Sequence, residues 1–575
     1  MQTVSCARRI ALVLILACLS LPAMAATAGL GEQLATHMSA LEAYGFSGTL
    51  LVAKGGQVIH HGAYGFADAD RKVPFTMDTA FDIGSITKQF TAAAILKLET
   101  QGKLSVQDPV SRWFEGVPED KRSMTLHHLL THSSGLRGDF GGDYEEMPRD
   151  RLVKMALESK LQWAPGTRYD YSNAGYSLLA AVVELASGQP YEVYLKENLW
   201  KPAGMTRTGY RLLEKGPLAH GVRDGKDWGT PVDKVWAPEG PWWNLRGNGG
   251  VLSTTGDLYK WHQALEGEAI LSKEAKAKIF TPHMPEDEEG SSHYGYGWAI
   301  LKTPRGTRLI SHNGGNGIFH ADFRRYVDEG IVLIIGSNRA DFASIPAVGP
   351  ISRLIFNSDY SAPPEVAKVD PSVPRRVAGT YVLPTGGKLK VAAAESPSGW
   401  PGVTVTPEGK DAFLVLAGGG TAGNEEREAR VMAALEKSLK GDFAPLAEVY
   451  GAPLAEVEEM TKRARARMEE QHGPFREIRL LGTVLQGGRP ATWVEVRHER
   501  GSSWLELLWS GEIVSFVRTR DSPAGISVFL PEKTGQRFAS YEPRTGTVLR
   551  VDFMPDGLTL GKAEAKREKE TPAGR

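Results

Sequence analysis

Cysteine is scarce in this chain: its 575 residues include two, Cys6 and Cys18, and both precede Ala25. If the segment up to Ala25 is removed, neither a disulfide nor a cysteine-ligated metal can stabilise the remainder. A surplus of charge is also missing, because 67 lysines and arginines are balanced by 68 aspartates and glutamates. A nucleic-acid partner requires a basic surplus and is therefore not expected.

Long apolar runs are few, and the one at the start of the chain is typical of an export signal. Arg8 and Arg9 precede the apolar stretch Ile10–Leu21, and Ala23-Met24-Ala25 provides small residues before a cleavage point. The stretch has about 12 residues whereas a membrane span needs about 20, which disfavours a retained anchor. Lipid attachment at Cys18 is disfavoured by a bulky leucine two positions earlier. We expect residues 1–25 to be a signal peptide, and the mature chain to be periplasmic or secreted without a membrane span.

The length exceeds what one hydrophobic core supports, so several domains are expected. Residues 26–357 alternate β-rich and helical patterns, and prolines after residue 360 indicate a linker. We predict an α/β (α+β) domain over 26–357, with an antiparallel sheet and helices packed on it. Its predicted strands are Gly48–Lys54, Gln57–Gly62, Arg308–His312, His320–Tyr326 and Gly330–Ser337.

The residue pattern changes twice in the region after the linker. Residues 358–424 contain the linker and the first part of a small β-rich domain, and residues 521–561 contain its remainder. Between them, residues 425–520 show two charged helical segments followed by alternating strands, which predicts an inserted α+β domain. The charged residues 562–575 are predicted to be a disordered tail.

The first candidate for chemistry is Ser85-Ile-Thr-Lys88. Residues three apart lie on one face of a helix, so the Lys88 ammonium can reach the Ser85 hydroxyl. A helix N-terminus also directs free N–H groups towards an oxyanion. The alternative is a capping serine beside a solvated lysine. The following apolar residues share one helical face: Ile86, Phe90, Ala94 and Leu98.

Two further segments supply polar groups. Tyr171-Ser172-Asn173 lies between a turn and a helical run, where Lys88 would favour the Tyr171 phenolate and Asn173 could hold Lys88 and donate to a substrate amide. The alternative is an ordinary helix N-cap. The segment Ser311–Gly315 follows a predicted strand, and its glycines would let a substrate backbone approach closely.

Four segments in this order resemble the class C β-lactamase, D-Ala-D-Ala carboxypeptidase and esterase family of penicillin-recognising serine hydrolases. They are Phe81–Phe90, Leu126–Leu136, Pro165–Tyr176 and Gly249–Asp257. The resemblance implies a β-lactamase/transpeptidase-like fold, with the site between an α domain and an α/β domain. We interpret Leu130–Gly135 as a structural turn buried under the site, with direct catalysis by this segment as the alternative.

The resemblance also implies roles for individual residues. Ser85 would be acylated, Lys88 and Tyr171 would share the general-base and general-acid work, and Asn173 would orient Lys88 and substrate. The N–H groups of Ser85 and Gly315 would form an oxyanion hole on an edge strand. The substrate-binding residues implied on the motif that follows the predicted strand are His312, Asn313, Gly314 and Gly315.

Two departures from the family pattern bear on the substrate. His312 stands where β-lactamases of this class have lysine, so anchoring of a substrate carboxylate would weaken above neutral pH. Asn313 replaces the usual threonine. We therefore expect a hydrolase of esters, amides or D-amino-acid peptides rather than an efficient β-lactamase, acting without a cofactor or metal. The alternative is an inactive penicillin-binding-type sensor of cell-wall fragments. The natural substrate and the oligomeric state stay open.

Overall fold

The computed structural model describes residues 29–212, 216–223, 225–340, 344–417, 425–486, 489–520, 528–533, 535–543 and 546–568. The chain divides into two compact units: the first ends at Asp359, and the second runs from Tyr360 and includes Ala43–Gly45. The predicted signal peptide, residues 1–25, lies outside the described residues. Within the described ranges, no helix has both the length and the apolar character required to cross a membrane.

The first unit contains fourteen strands within its described residues. They are β1 Gly48–Lys54, β2 Gln57–Tyr64, β3 Phe66–Asp68, β4 Val73–Pro74, β5 Phe81–Asp82, β6 Gly221–Arg223, β7 Lys226–Gly229, β8 Leu252–Ser253, β9 Met284–Pro285, β10 Ser292–Tyr294, β11 Ala299–Lys302, β12 Arg308–Gly315, β13 His320–Tyr326 and β14 Ile331–Ser337.

Eight of these strands form one antiparallel sheet in the order β2-β1-β14-β13-β12-β11-β10-β9. Strand β14 is buried along its whole length, which explains why its sequence is continuously apolar rather than alternating. The five predicted strands are confirmed in this sheet, with one informative difference. Strand β12 continues to Gly315, so the glycine-containing motif lies within the strand and not after it.

Helices up to residue 359 are α1 29–43, α2 Thr87–Thr100, α3 Leu126–Leu130, α4 Arg149–Glu158, α5 Asn173–Ser187, α6 Tyr191–Leu195, α7 Thr255–Glu266, α8 Lys273–Ile279 and α9 Ser344–Ile355. Helix α2 was expected to bury one face, but every residue from Thr87 to Leu96 is buried. A helix that is apolar or enclosed on all sides belongs in the centre of a domain. Helix α2 thus fixes the preceding segment that contains Ser85 to the core that it shares with α5.

The second unit contains helices α10 Ser372–Val377, α11 Lys410–Leu416, α12 Glu425–Leu439, α13 Ala444–Tyr450 and α14 Leu454–His472. Its strands are β15 Gly379–Val382, β16 Lys388–Glu395, β17 Pro401–Glu408, β18 Phe475–Gln486, β19 Arg489–His498, β20 Ser502–Ser510, β21 Ile513–Arg520, β22 Leu530–Pro531, β23 Arg537–Glu542, β24 Thr547–Met554, β25 Gly557–Leu560 and β26 Ala563–Arg567.

Two sheets organise the second unit. One has eight strands in the order β17-β16-β15-β26-β25-β24-β23-β22, and the other is the four-stranded meander β18-β19-β20-β21. Strands on either side of the segment 425–520 therefore share one sheet, although the proposed domain boundaries stay predictions. The expectation of a disordered tail from residue 562 was wrong for Ala563–Arg567, which forms β26. This strand pairs with β25 and with β15, which is distant in sequence. The backbone hydrogen bonds of this pairing stabilise a strand whose sequence is charged and only weakly apolar.

Candidate active site

Ser85 lies on a single 3-10 turn, Gly84–Ile86, that leads directly into α2. Its side chain is half-buried, whereas its neighbours are buried. Gly84 has a φ of 52°, and a Cβ there would lie 2.2 Å from the backbone nitrogen of Gly315. Glycine is therefore required at this position both by backbone conformation and by the close approach of β12. The turn and the strand hold each other in place.

The Lys88 side chain is enclosed one helical turn after Ser85, with no exposed surface. Its Nζ donates to Ser85 Oγ at 3.0 Å, to Asn173 Oδ1 at 2.7 Å and to the backbone oxygen of Asn248 at 2.9 Å. An ammonium has three hydrogens, and the three oxygens account for all of them. The spacing prediction is confirmed insofar as Lys88 reaches Ser85.

Burial lowers the pKa of Lys88 to about 7, although Asp139 and Asp143 oppose this shift. Desolvation disfavours the charged amine more than these carboxylates favour it. A neutral amine keeps two hydrogens for the carbonyl oxygens of Asn173 and Asn248, which can only accept. Its lone pair is then left to accept from the Ser85 hydroxyl, which is the arrangement that a general base needs.

Tyr171 lies just before α5, and its ring centroid is 4.8 Å from Lys88 Nζ. Burial raises the pKa of the Tyr171 phenol, and a hydrogen bond with Ser85 opposes the rise without reversing it. The expectation that Lys88 would favour a phenolate was wrong, because desolvation by burial dominates the pKa of the phenol. Tyr171 is thus a protonated phenol that can donate a hydrogen.

The predicted turn Leu130–Gly135 is confirmed beneath this tyrosine. His132 is fully buried and has a φ of 54°. Its ring centroid lies 4.1 Å from that of Tyr171, and its Nδ1 accepts a hydrogen bond from the backbone N–H of Ser172 at 3.0 Å. The imidazole therefore supports the phenol ring from one side and fixes the start of α5.

Asn173 is the first residue of α5, after the N-cap Ser172. Its Oδ1 accepts from Lys88, while its Nδ2 donates to Asp139 Oδ1 at 2.9 Å. The amide is therefore held in one orientation by partners of opposite hydrogen-bonding character. It can hold Lys88 as expected, and because the amide nitrogen carries two hydrogens, one is left to donate to a substrate.

His312 is 6% exposed on β12, and both ring nitrogens have partners. Its Nδ1 lies 2.6 Å from the backbone oxygen of Asn313, and its Nε2 lies 2.8 Å from the hydroxyl of Tyr294. A carbonyl oxygen can only accept, so Nδ1 carries a hydrogen. In the neutral form of the ring, Nε2 then accepts from the tyrosine, which defines a single tautomer.

Burial and the nearby Lys88 lower the pKa of His312 to about 3. The expectation of a cation that is lost above neutral pH was therefore wrong: desolvation keeps the ring uncharged throughout the physiological range. His312 therefore offers no positive charge to a substrate carboxylate. His312 instead fixes the hydroxyl of Tyr294 beside the site.

The rest of the motif packs against the Gly84–Ile86 turn. A Cβ on Gly314 would lie 2.0 Å from the oxygen of Ile83 and 2.7 Å from the nitrogen of Ser85. The nitrogens of Ser85 and Gly315 are thus both at this contact, which is where a carbonyl oxygen could accept from them. Asn313 is exposed, and as an alternate residue of the strand it faces away from His312 and Gly314.

Strand β12 was expected to be an edge strand, but it lies inside the eight-stranded sheet. Its pairing with β11 ends at Ser311, opposite Ala299. Beyond that point the motif from His312 to Gly315 pairs on its other side, with β13. The open edge is therefore local, and it arises because β11 is four residues long.

Two site residues were missed from the sequence. The backbone oxygen of Asn248 has no signature in a side-chain pattern. Asp82 is buried and accepts hydrogen bonds from the Gly84 N–H at 2.7 Å and from Asn316 Nδ2 at 2.9 Å. It thereby connects the Gly84–Ile86 turn to the residue that follows β12. Burial raises the pKa of Asp82 to about 7. Asp82 could have been found from the sequence, because it lies within Phe81–Phe90, one of the four segments that resemble the family.

Metal ligands do not cluster in this arrangement: across the described residues, no group of three or more His, Cys, Asp or Glu side chains is placed to hold a metal ion. The polar groups around Ser85 are a lysine, a phenol, an amide and backbone N–H groups. Such groups are suited to moving a proton and to stabilising negative charge on oxygen.

Comparison with known proteins gives the class to which this arrangement belongs. The family described as Beta-lactamase matches residues 32–354. The chain belongs to this family. A penicillin-binding protein of Bacillus subtilis (strain 168) is 30% identical over 379 residues, covering 61% of this chain and 82% of that protein. A putative D-alanyl-D-alanine carboxypeptidase of Escherichia coli (strain K12) is 28% identical over 298 residues, covering 44% and 67% respectively.

The fold is also found among solved structures. An octameric penicillin-binding protein homologue from Pyrococcus abyssi matches 93% of this chain and 99% of its own, with 20% identity and a TM-score of 0.52. The chain therefore has the β-lactamase/transpeptidase-like fold with a β-rich C-terminal region, as the sequence predicted.

We test the contact between β12 and the Gly84–Ile86 turn by adding a side chain at Gly314. In Gly314→Ala, the added Cβ meets the Ile83 oxygen and must push the strand away from Ser85. We expect the rate of Ser85 labelling by a fluorophosphonate to fall by about 100-fold, as for a reacting group misplaced by about 1 Å.

Gly267→Ala is the matched control, because its Cβ would lie 4.0 Å from its nearest neighbour and its φ is −84°. This variant should label at the wild-type rate. Wild-type labelling of Gly314→Ala, in protein with an unchanged melting temperature, would show that the strand does not set the position of the nucleophile.

Proposed function

We propose that this protein is an exported serine hydrolase that forms an acyl-enzyme on Ser85 and hydrolyses small esters, amides or D-amino-acid peptides. The observation that carries the proposal is the 3.0 Å contact between Lys88 Nζ and Ser85 Oγ, for a lysine whose pKa burial lowers to about 7. A serine hydroxyl is a weak nucleophile until an adjacent base takes its proton.

Acylation follows from this geometry. Neutral Lys88 accepts the Ser85 proton as Oγ attacks the substrate carbonyl, and the N–H groups of Ser85 and Gly315 stabilise the oxyanion. When the tetrahedral intermediate collapses, Tyr171 donates its hydrogen to the leaving group and recovers one from the Lys88 ammonium. The products of this half are the free leaving group and an ester on Ser85, with Lys88 neutral again.

Deacylation repeats these steps with water in place of serine. Neutral Lys88, directly or through the Tyr171 hydroxyl, accepts a proton from the attacking water. Ser85 Oγ then leaves, and the same proton returns to it. Asn173 and the Asn248 carbonyl keep the amine in place throughout, because neither takes part in proton transfer. Each half-reaction is proton-neutral, so the residues are ready for a second cycle.

The neutral state of His312 supports a substrate class. Hydrolases that act on substrates with a terminal carboxylate benefit from a fixed cation at the site, and this imidazole supplies none. The carboxylates of Asp139 and Asp143 are near enough to act on Lys88, and they make the cleft less favourable for an anion. Uncharged esters and amides, or substrates with a free amine, suit these charges best.

Export is proposed on the pattern of residues 1–25, with a basic start, a short apolar stretch and small residues before the cleavage point. A periplasmic or secreted location would give the enzyme access to small acyl compounds and cell-wall peptides outside the cytoplasm.

The direct test is turnover. We expect wild-type protein to hydrolyse p-nitrophenyl acetate through many cycles, and to show an acetyl adduct on the Ser85 peptide after rapid acid quench. Ser85→Ala should give neither product, because it removes the nucleophile. A single burst equivalent without turnover would instead indicate a sensor of cell-wall fragments, and an adduct retained in Ser85→Ala would overturn the assignment.

The lowered pKa of Lys88 predicts a pH dependence. The base is active when neutral, so kcat/KM for the ester should increase about tenfold per pH unit below pH 7 and level off above it. Rates measured with Ser85→Ala provide the background correction at each pH. A profile that keeps rising to about pH 10 would mean that Lys88 has the pKa of an ordinary exposed lysine.

Because His312 is neutral, we predict that the preference between a negatively charged and an uncharged ester does not change with pH. The acetate esters of 3-hydroxybenzoic acid and 3-hydroxybenzamide differ in one negative charge on the leaving group. We expect the ratio of their kcat/KM values to stay within about twofold between pH 6 and 8, because His312 does not titrate there.

His312→Lys provides the comparison, since an added cation should raise the preference for the benzoate ester by roughly tenfold. A wild-type ratio that falls steeply as the pH rises through 6.5 would indicate a histidine cation at the site and contradict the neutral tautomer.

A further inference from the structure

The second unit contains a cavity of about 410 Å³ that is separate from the residues of the acylation site. Its walls come from α12, α13 and α14 on one side and from the meander β18–β21 on the other. All of the lining residues lie between Leu435 and Thr519. Most of them are apolar, as in Leu446, Ile478 and Val496.

The size of this cavity does not fit a packing defect. Protein interiors contain few voids larger than a water molecule, whereas pockets for small ligands fall in this range of volume. Phe475, Ile478, Leu505 and Val517 line it and keep part of their surface accessible, although they lie on the helix-facing side of the sheet. Burial of an apolar ligand against such walls removes apolar surface from water on both sides and is therefore favourable.

One polar group on the wall lacks a partner. His498 is 7% exposed, and its Nδ1 lies 2.9 Å from the backbone oxygen of Gly473, which can only accept. Nδ1 therefore carries a hydrogen, and the uncharged form of the ring has a lone pair on Nε2. Within the described residues, this buried Nε2 has no hydrogen-bond partner. A buried acceptor of this kind is costly unless a donor reaches it.

The mouth of the cavity favours an uncharged molecule. Met460 is on its wall and is 46% exposed, so the cavity opens beside a flexible apolar side chain. The charged residues at this opening are already paired along α14: Lys462 with Glu458 at 2.5 Å, and Arg465 with Glu469 at 2.8 Å. No surplus charge is left there to select an ion.

We propose that this cavity is a binding site for a small lipophilic molecule with one uncharged hydrogen-bond donor, such as the hydroxyl of a long-chain alcohol. The apolar walls take up the chain, and His498 Nε2 accepts from the donor. The site is independent of acyl transfer on Ser85 and can exist whether or not that activity does.

N-phenyl-1-naphthylamine is a suitable reporter, because it is apolar, uncharged and fluorescent in dry surroundings. We expect saturable binding of one equivalent to the full chain, with displacement by 1-dodecanol. Leu505→Trp fills the cavity and Met460→Trp blocks its mouth, so each should weaken reporter binding at least tenfold. The exposed Met460 site also tolerates a large side chain, which keeps the test valid if Leu505→Trp fails to fold.

Phe516→Trp is the matched control, because it is 51% exposed on the same sheet and does not line the cavity. It should bind the reporter as wild type does, with an unchanged circular dichroism spectrum. Absence of saturable binding, or wild-type binding by both Met460→Trp and Leu505→Trp, overturns the proposal.

The donor requirement has its own test. 1-Methoxydodecane has the chain of 1-dodecanol with one more carbon but no donor, and we expect the alcohol to displace the reporter roughly fivefold more tightly. His498→Phe should remove this difference while leaving reporter binding in place. Equal displacement by the alcohol and the ether in wild-type protein overturns the role of His498.

Discussion

The burial of one amine governs the chemistry of the first unit. Lys88 is enclosed by three oxygens, two of which can only accept hydrogen, and its side chain has no solvent-exposed surface in the unliganded protein. Protonation of this amine therefore carries a desolvation penalty, which the attraction to Asp139 and Asp143 offsets only in part. In the proposed mechanism, the consequence is a base that titrates near neutral pH and lies in contact with Ser85. The roles of Tyr171 and His312 follow from the same dry environment.

The fold creates this environment by joining segments that are distant in sequence. Helix α2 is buried on all sides and brings Lys88 into the core, α5 contributes Asn173, and the loop before β8 contributes the Asn248 carbonyl. The strand β12 approaches so closely that side chains are excluded at Gly84 and Gly314. A small shift of any of these segments would move the base or the oxyanion donors away from Ser85.

The sequence predicted those parts of the site that depend on local spacing or on quoted motifs. Ser85 and Lys88 are three residues apart on a helical turn, so their contact is a local property. The protonation states were beyond local reasoning, because they depend on burial by distant segments: Tyr171 is a phenol and His312 is neutral, both contrary to expectation.

In the second unit, too, contacts between segments that are distant in sequence could not be predicted from local patterns. Residues 563–567 are charged and have no strand-like pattern of their own, yet they form β26 by pairing with β25 and with β15. Pairing with a strand about 180 residues earlier leaves no mark on the local sequence. The contribution of Asn248 to the site was hidden for a similar reason, since any residue type offers a backbone carbonyl.

The central claim is that the pKa of Lys88 lies near 7, so that a large share of this amine is neutral at neutral pH. Its pKa can be measured by NMR titration of protein that contains lysine labelled with ¹³C at Cε, with the resonance assigned by its loss in Lys88→Met. The structure predicts one lysine resonance that titrates near pH 7 in the unliganded protein. If every lysine resonance titrates above about pH 9, as exposed lysines do, Lys88 is a fixed cation and cannot be the base.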